Sequence, residues 1–235
     1  MFAALSDPEI RPRVAPYVAV FHAFAPIVYL DGNKVPVINL DLAAYLRKLI
    51  TAAAEKSNIH AVNTGTCAWD QSSINYWNDY CRFDPKRCYD HVKLEDLYPA
   101  VDNWAREGYH KILGPSGSSY NCVLHYAQLL NTQVTQNKYA FPKFDYGSPE
   151  ANRAKYGQST PPNYNLKNIR EKVRLWVGTK DTLATVPEAE RIVSVLSEVT
   201  SVQMKTWMLW GHETFHFATD NTSQFADLIS ELNSE

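Results

Sequence analysis

The stretch from Val173 to Leu232 constrains this chain more than any other. It reads Val173-Arg-Leu-Trp-Val-Gly-Thr-Lys-Asp181, then a helical run, then Ser201-Val-Gln-Met-Lys-Thr-Trp-Met208, then Leu209-Trp-Gly-His212 and a second helical run. Short apolar runs between turn signals read as buried strands, and longer runs with helical spacing read as helices. The order is strand, loop with an acid, helix, strand, loop with a histidine, helix. Alternation of this kind predicts a parallel α/β sheet. In an open sheet of that type, functional groups sit on loops leaving the carboxyl ends of the strands. Asp181 and His212 stand on two such loops in succession. An acid followed by a histidine matches the last two members of a serine–acid–histidine triad.

Each residue also has a plainer explanation. Asp181, in Gly178-Thr-Lys-Asp181, is a residue type that turns often carry. His212 could simply be satisfied by local hydrogen bonds. Their order and their shared strand context favour the catalytic pair. In that pair Asp181 orients the histidine, and His212 takes a proton from a nucleophile and returns it to the leaving group. The same histidine opens His212-Glu213-Thr214-Phe215-His216, a literal H-E-x-x-H zinc pattern. Gly211 stands where a zinc helix should already be running, and no third histidine occurs at the extended spacing. No metal is therefore expected.

Composition narrows the function classes. With 45% hydrophobic residues the chain has ample material for a core, and a formal net charge of −2 gives nothing to draw it to nucleic acid or to an anionic membrane. The 14 Tyr and 6 Trp suit an apolar or sugar-like ligand and an ordinary core equally well, so they decide nothing. The nearly charge-free run Ala15–Leu30 holds Pro16, His22 and Pro26 and is too short to span a membrane comfortably. No secretory signal is read at the N-terminus, because Met1-Phe-Ala-Ala-Leu is followed at once by Ser6-Asp7-Pro8-Glu9. Cys67, Cys81, Cys88 and Cys122 allow three pairings. Cys81 and Cys88 could close a small loop in an oxidising compartment, or all four could stay reduced.

Along the chain, Met1–Leu5 reads as the tail of a helix ended by Asp7-Pro8. Arg13–Leu30, with Val18, Val20, Phe21, Phe24, Ile27 and Val28, reads as a strand buried on both faces. Such a strand needs a neighbour on each edge, so a partner chain covering an exposed sheet edge is one expectation. Ile38, Leu42, Leu46, Leu49, Ile50 and Ala53 recur at helical spacing, as does the run Leu94–His110. Ser119–Asn131 reads as a further helix, with Val123, Ala127 and Leu130 on one side. Residues 32–145 thus read as a mainly helical insertion, a cap of the kind that shapes a pocket over a sheet. Residues 1–31 and 146–235 form the core on either side. Gln158-Ser-Thr-Pro-Pro-Asn163 links back to the sheet. Pro187–Leu196 is the helix between the last two strands. Asn221–Leu232 closes the chain, with Phe225, Leu228, Ile229 and Leu232 on one face. Asn221-Thr222-Ser223 is a glycosylation sequon.

Several words along the chain resemble the acid lipase family of α/β hydrolases, the lysosomal and gastric lipase type. They include Phe2-Ala-Ala-Leu5, Ala25-Pro-Ile-Val-Tyr-Leu30, Pro115-Ser-Gly-Ser-Ser119 and His125-Tyr-Ala-Gln128. Phe144-Asp-Tyr-Gly147 with Asn152, Lys155-Tyr-Gly157, Pro161-Pro-Asn-Tyr164, Gly178-Thr-Lys-Asp181-Thr-Leu-Ala184 and Gly211-His212 complete the set. The resemblance implies the C-terminal portion of such a protein, a partial α/β-hydrolase sheet with a helical cap. It implies Asp181 and His212 as the triad acid and histidine. It further implies a lipase-type ester hydrolase acting on a triglyceride or sterol ester in lysosomes or secretions, without a cofactor.

Three departures stand out. Where the family has an aspartate two residues after the histidine, this chain has Thr214. Thr51–Lys111 matches poorly. No G-x-S-x-G occurs anywhere; Gly114-Pro-Ser116-Gly-Ser118 lacks the final glycine. In the family the nucleophile elbow lies just before the position matching Met1, so this chain alone is expected to be inactive. A non-catalytic remnant binding lipid or a partner protein is the alternative.

Overall fold

Two runs in the last third, Lys172–Gly178 and Val202–Trp207, alternate or accumulate β-branched and apolar residues between turns, and both form strands in the computed structural model. The structure describes residues 1–32, 61–62, 101–103 and 118–234. The expected helix over 38–56, all of the expected helix over 94–110 but residues 101–103, and Cys67, Cys81, Cys88 and Ser116 lie outside the described residues; residues 101–103 are a turn and a bridge instead of helix. Cys122 is exposed.

Helices α1 (Phe2–Ser6) and α2 (Arg11–Val14) precede strand β1 (Val20–Phe24). Two short strands, β2 (Ala61–Val62) and β3 (Ser118–Ser119), pair antiparallel. Helices α3 (Tyr120–Thr135) and α4 (Pro149–Tyr156) lead to β4 (Lys172–Gly178). The chain then runs through α5 (Val186–Leu196), β5 (Val202–Trp207), α6 (Thr214–Phe217) and α7 (Thr222–Ser234). The main sheet has the order β1-β4-β5, with both pairs parallel. Parallel neighbours need a crossover, and α5 supplies the one between β4 and β5.

The strand expected over Arg13–Leu30 is shorter than its composition suggested. Only Val20–Phe24 pairs; the residues before it coil into α2 and a 3-10 turn, and Ala25 takes a positive φ of 46° that ends the strand. Val28, Tyr29 and Leu30 are buried without being strand. Burial on both faces belongs instead to β4, the central strand, where Val173, Leu175, Trp176 and Val177 are all enclosed. A central position, rather than apolar content, is what buries both faces.

The Val28–Leu30 loop is buried because its backbone is satisfied by one side chain. Gln133 of α3 accepts the Leu30 N–H at 2.7 Å and donates to the carbonyls of Val28 at 2.9 Å and Ala140 at 2.8 Å. Leu129 and Leu130 of the same helix enter the core formed by Leu5, Ile169, Val173, Leu175, Val177, Ile192 and Leu196. At the next loop, Glu188 accepts the Gly32 N–H at 2.8 Å and the Thr185 N–H at 3.0 Å, which ties the end of the β1 loop to the start of α5. Its carboxyl is held above the usual range because burial outweighs these bonds.

Residues 141–164 form a second knot of polar contacts. Gln128 donates to the Asp145 carbonyl and accepts its N–H, at 2.7 and 2.9 Å. Asn152, buried, accepts the Tyr146 N–H and donates to Asp145 Oδ1 and the Ser159 carbonyl. Tyr164 N–H bonds to the Phe141 carbonyl at 2.7 Å, and Pro142 bridges Asn163. Lys143, 2.5 Å from buried Asp7, joins this knot to the N-terminus.

Replacing Gln133 by Leu keeps the volume but strands one N–H and two carbonyls. A loss of about 3 kcal/mol in folding stability is expected. Urea unfolding of the full chain checks it.

Candidate active site

Strand β4 delivers its chain to the loop 179–185, and the side chain of Asp181 sets the turn in that loop. Asp181 Oδ1 accepts the N–H groups of Leu183 at 2.8 Å and Ala184 at 2.7 Å. This is the local hydrogen bonding for which Asp is favoured in turns. The side chain is fully buried, and its second oxygen, Oδ2, lies 3.0 Å from His212 Nδ1. With one oxygen saturated by backbone, the carboxylate cannot rotate without breaking two bonds. Its remaining lone pairs point at the imidazole.

His212 arrives on the loop after β5, and that loop is sewn to the acid loop through backbone. Thr179 N–H bonds to the Trp207 carbonyl at 2.9 Å and Lys180 N–H to the Trp210 carbonyl at 2.8 Å. Thr179 Oγ1 accepts the Leu209 N–H at 3.0 Å, which steadies a residue held at a φ of 66°. The crossing is very close at Gly178. A Cβ there would sit 2.2 Å from the Trp210 carbonyl oxygen and 2.7 Å from its carbon. Only glycine lets the histidine loop lie on the end of β4.

The bed beneath the loops is aromatic. Trp207 and Trp210 have ring centroids 4.8 Å apart, Trp176 stacks 6.0 Å from Trp207, and Phe215 meets Trp210 at 5.2 Å. Phe24 closes the cluster against Trp176 and Phe215. All four rings of Trp176, Trp207, Trp210 and Phe215 are buried. The loop exit is held by a segment from the middle of the chain. Asn103 N–H bonds to the Phe217 carbonyl and Thr219 N–H to the Val101 carbonyl, around an Asp102–Ala218 bridge.

Burial of the imidazole works against its charged form. The hydrogen bond and charge of Asp181, with the charge of Glu213, outweigh it, and His212 stands above its ordinary value. Donation from Nδ1 to the carboxylate leaves Nε2 as the nitrogen able to accept a proton from a bound group.

The zinc pattern does not form the single helix that a pair of histidines four apart would require. His212 precedes α6, Glu213 is its N-cap, and His216 is exposed. Among the described residues no group of three or more His, Cys, Asp and Glu could hold a metal. Asn221 of the sequon immediately precedes α7, its amide donating to the Phe215 carbonyl and to Gln224, each at 3.2 Å. Sequence reasoning singled out Asp181 and His212, and the structure brings them into contact. It gave Gly178 no role, although a glycine at the last position of a strand before an acid loop is a usable sign of a close crossing.

No family model matches the chain. Individual proteins do. It is 28% identical to Lipase member J of Homo sapiens, over 94% of this chain and 56% of that protein. It is 26% identical to gastric triacylglycerol lipase of Rattus norvegicus, over 94% of this chain and 53% of that one. Lysosomal acid lipase/cholesteryl ester hydrolase of the same organism matches at 27%, over 89% and 49%. The chain is thus similar in sequence to lysosomal and gastric lipases. It spans about half the length of the curated relatives it matches. Among the described residues the strands β1-β4-β5 form a parallel sheet that carries the acid and histidine loops. Among the described residues no helix is long and apolar enough to cross a membrane.

Two outcomes test the site. Gly178→Ala is expected to cost about 3 kcal/mol or more, because the clash is with backbone that cannot turn aside; thermal unfolding measures it. Asp181→Asn is expected to lower the His212 pKa, read by NMR titration of the imidazole. The sign comes from linkage. A histidine raised on folding contributes stability that is full below about pH 6.5 and fades as pH rises through its folded pKa. Asp181→Asn removes that pH dependence.

Proposed function

We propose that this chain carries the acid and the base of a lipase-type carboxylic ester hydrolase that uses a Ser–Asp–His mechanism. The observation that supports it is the 3.0 Å contact between His212 Nδ1 and an Asp181 carboxylate whose other oxygen is locked by two backbone N–H groups. Asp181 keeps the proton on Nδ1 and stabilises the imidazolium. His212 Nε2 takes the proton of a serine hydroxyl as its oxygen attacks the ester carbonyl. When the tetrahedral intermediate collapses, the alcohol leaves with that proton and an acyl-serine remains. Water repeats the exchange, releasing the fatty acid and returning the proton to serine.

No G-x-S-x-G occurs in the 235 residues, so we place the serine outside them and expect this stretch by itself to be inactive. The substrate is a fatty-acyl ester, a triglyceride or a sterol ester, and the compartment is the lysosome or a secretion. The chemistry needs no cofactor. We assign the cap over the acyl site to residues 32–145, most of which lie outside the described residues, and the core to 1–31 and 146–235, against which α3 packs Leu129 and Leu130.

A second, non-catalytic role has one observation in its favour. On α7, Gln224, Leu228 and Glu231 turn toward the sheet, while Phe225, Ile229 and Leu232 remain 54%, 56% and 56% exposed. Asp227 pairs with Lys205 of β5, so at 100° per residue the apolar stripe lies on the opposite flank, toward β1. Among the described residues β1 pairs only with β4. An apolar stripe beside a sheet edge suits further polypeptide, which would be a partner chain if the natural protein ends where this sequence does.

A serine-directed phosphonate applied to the natural protein tests the first reading. Labelling is expected, and His212→Ala should slow it by about 10³-fold or more. An unlabelled protein whose intact mass equals that of the 235 residues would sink the catalytic reading and leave the binding one.

A further inference from the structure

Thr214 is fully buried at the first position of α6, two residues beyond the histidine. A threonine there has no need of its hydroxyl for packing, and a buried hydroxyl without a partner is costly. This one has a partner. Its Oγ1 accepts the Gly211 N–H at 2.9 Å. The bond runs from the residue after His212-Glu213 to the residue before it, so it closes a small ring with the histidine inside.

The polar links that hold the histidine loop divide by position. Lys180 N–H to the Trp210 carbonyl fixes the loop before the histidine, and the Val101–Asn103 segment fixes it after α6. Asp181 holds the imidazole itself. The Trp210 carbonyl and the Gly211 N–H belong to one planar peptide, so Lys180 holds its oxygen side and leaves its N–H side to be fixed. Glycine has the widest conformational freedom at that point. The Thr214 hydroxyl is the single described group that restrains the Gly211 N–H, and it does so from within the core.

We propose that Thr214 is a positioning residue for His212: its hydroxyl ties the N–H side of the Trp210–Gly211 peptide to the start of α6, closing the loop around His212 so that Nδ1 meets Asp181 Oδ2 in line. The inference rests on His212 as the proton carrier for its importance to catalysis. Its test, however, reads the geometry of the His212–Asp181 pair and needs no turnover. A failure of the catalytic reading would therefore show in phosphonate labelling and leave this result standing.

The experiment compares the wild-type chain with Thr214→Val and Thr214→Ser by proton and nitrogen NMR of the imidazoles, with His212→Gln used to assign the signal. The valine keeps volume and burial and removes the acceptor; the serine keeps the acceptor and removes a methyl. Thr214→Val is expected to lose the downfield Nδ1 proton resonance of His212 and to bring its pKa back toward about 6.5. Thr214→Ser is expected to keep both. In the active protein the valine should lower kcat by about 10- to 100-fold with KM unchanged. A folded Thr214→Val with the wild-type resonance and pKa would overturn the proposal and leave Thr214 as packing. If the valine variant does not fold, hydrogen exchange of the Gly211 amide decides in the wild type. Protection matching that of the β4 amides supports the restraint, and exchange at the rate of an exposed loop overturns it.

Discussion

Everything at the carboxyl end of this sheet depends on two backbones crossing at a glycine. Gly178 ends the central strand, and the Trp210 carbonyl lies where any side chain would have to start. That contact lets two successive N–H groups of the acid loop, from Thr179 and Lys180, reach carbonyls of the histidine loop. The acid and the imidazole then need only local restraints to meet. Asp181 has its own turn and His212 has the Thr214 ring. The geometry of the pair is set by backbone, with side chains making the final adjustment.

Much of this is legible in the sequence, and the reasons are specific. Lys172–Gly178, Val186–Leu196 and Val202–Trp207 are readable because each is short, strongly patterned and bounded by turn residues. The order of Asp181 and His212 comes with those elements. The illegible part depends on contacts across long separations. Ile27 to Leu30 looks like strand by composition, yet its backbone is satisfied by Gln133, about a hundred positions away, and that cannot be seen in a local window. The apolar face of the closing helix is readable as a face. That Leu228 alone of its four residues would pack inward is not, since Gln224 and Glu231 take the other places toward the sheet.

The words that resemble the lipase family fall into two kinds. Gly178-Thr-Lys-Asp181 and Gly211-His212 are at the site. Phe144-Asp-Tyr-Gly147, Asn152 and Pro161-Pro-Asn-Tyr164 are not; they make the knot in which Asn152 satisfies three backbone and side-chain partners at once. A knot of that kind tolerates little change, because each substitution leaves a buried polar group unmatched. These resembling words fall where the chain solves a hydrogen-bonding problem, and they say little about the acyl group that such a protein would accept.

The stacked indoles under the histidine loop have an optical consequence. Trp176, Trp207 and Trp210 are chromophores in series, 6.0 Å from the first to the second and 4.8 Å from the second to the third, held in fixed orientation by β4, β5 and the loop between β5 and α6. Transitions so close couple, and the coupling has a handedness set by the angle between the rings. The near-ultraviolet circular dichroism of this protein thus carries a built-in reporter of the crossing loops. Loss of the Trp210 seat would change the spectrum while the helices, and the far-ultraviolet signal they dominate, stayed as they were.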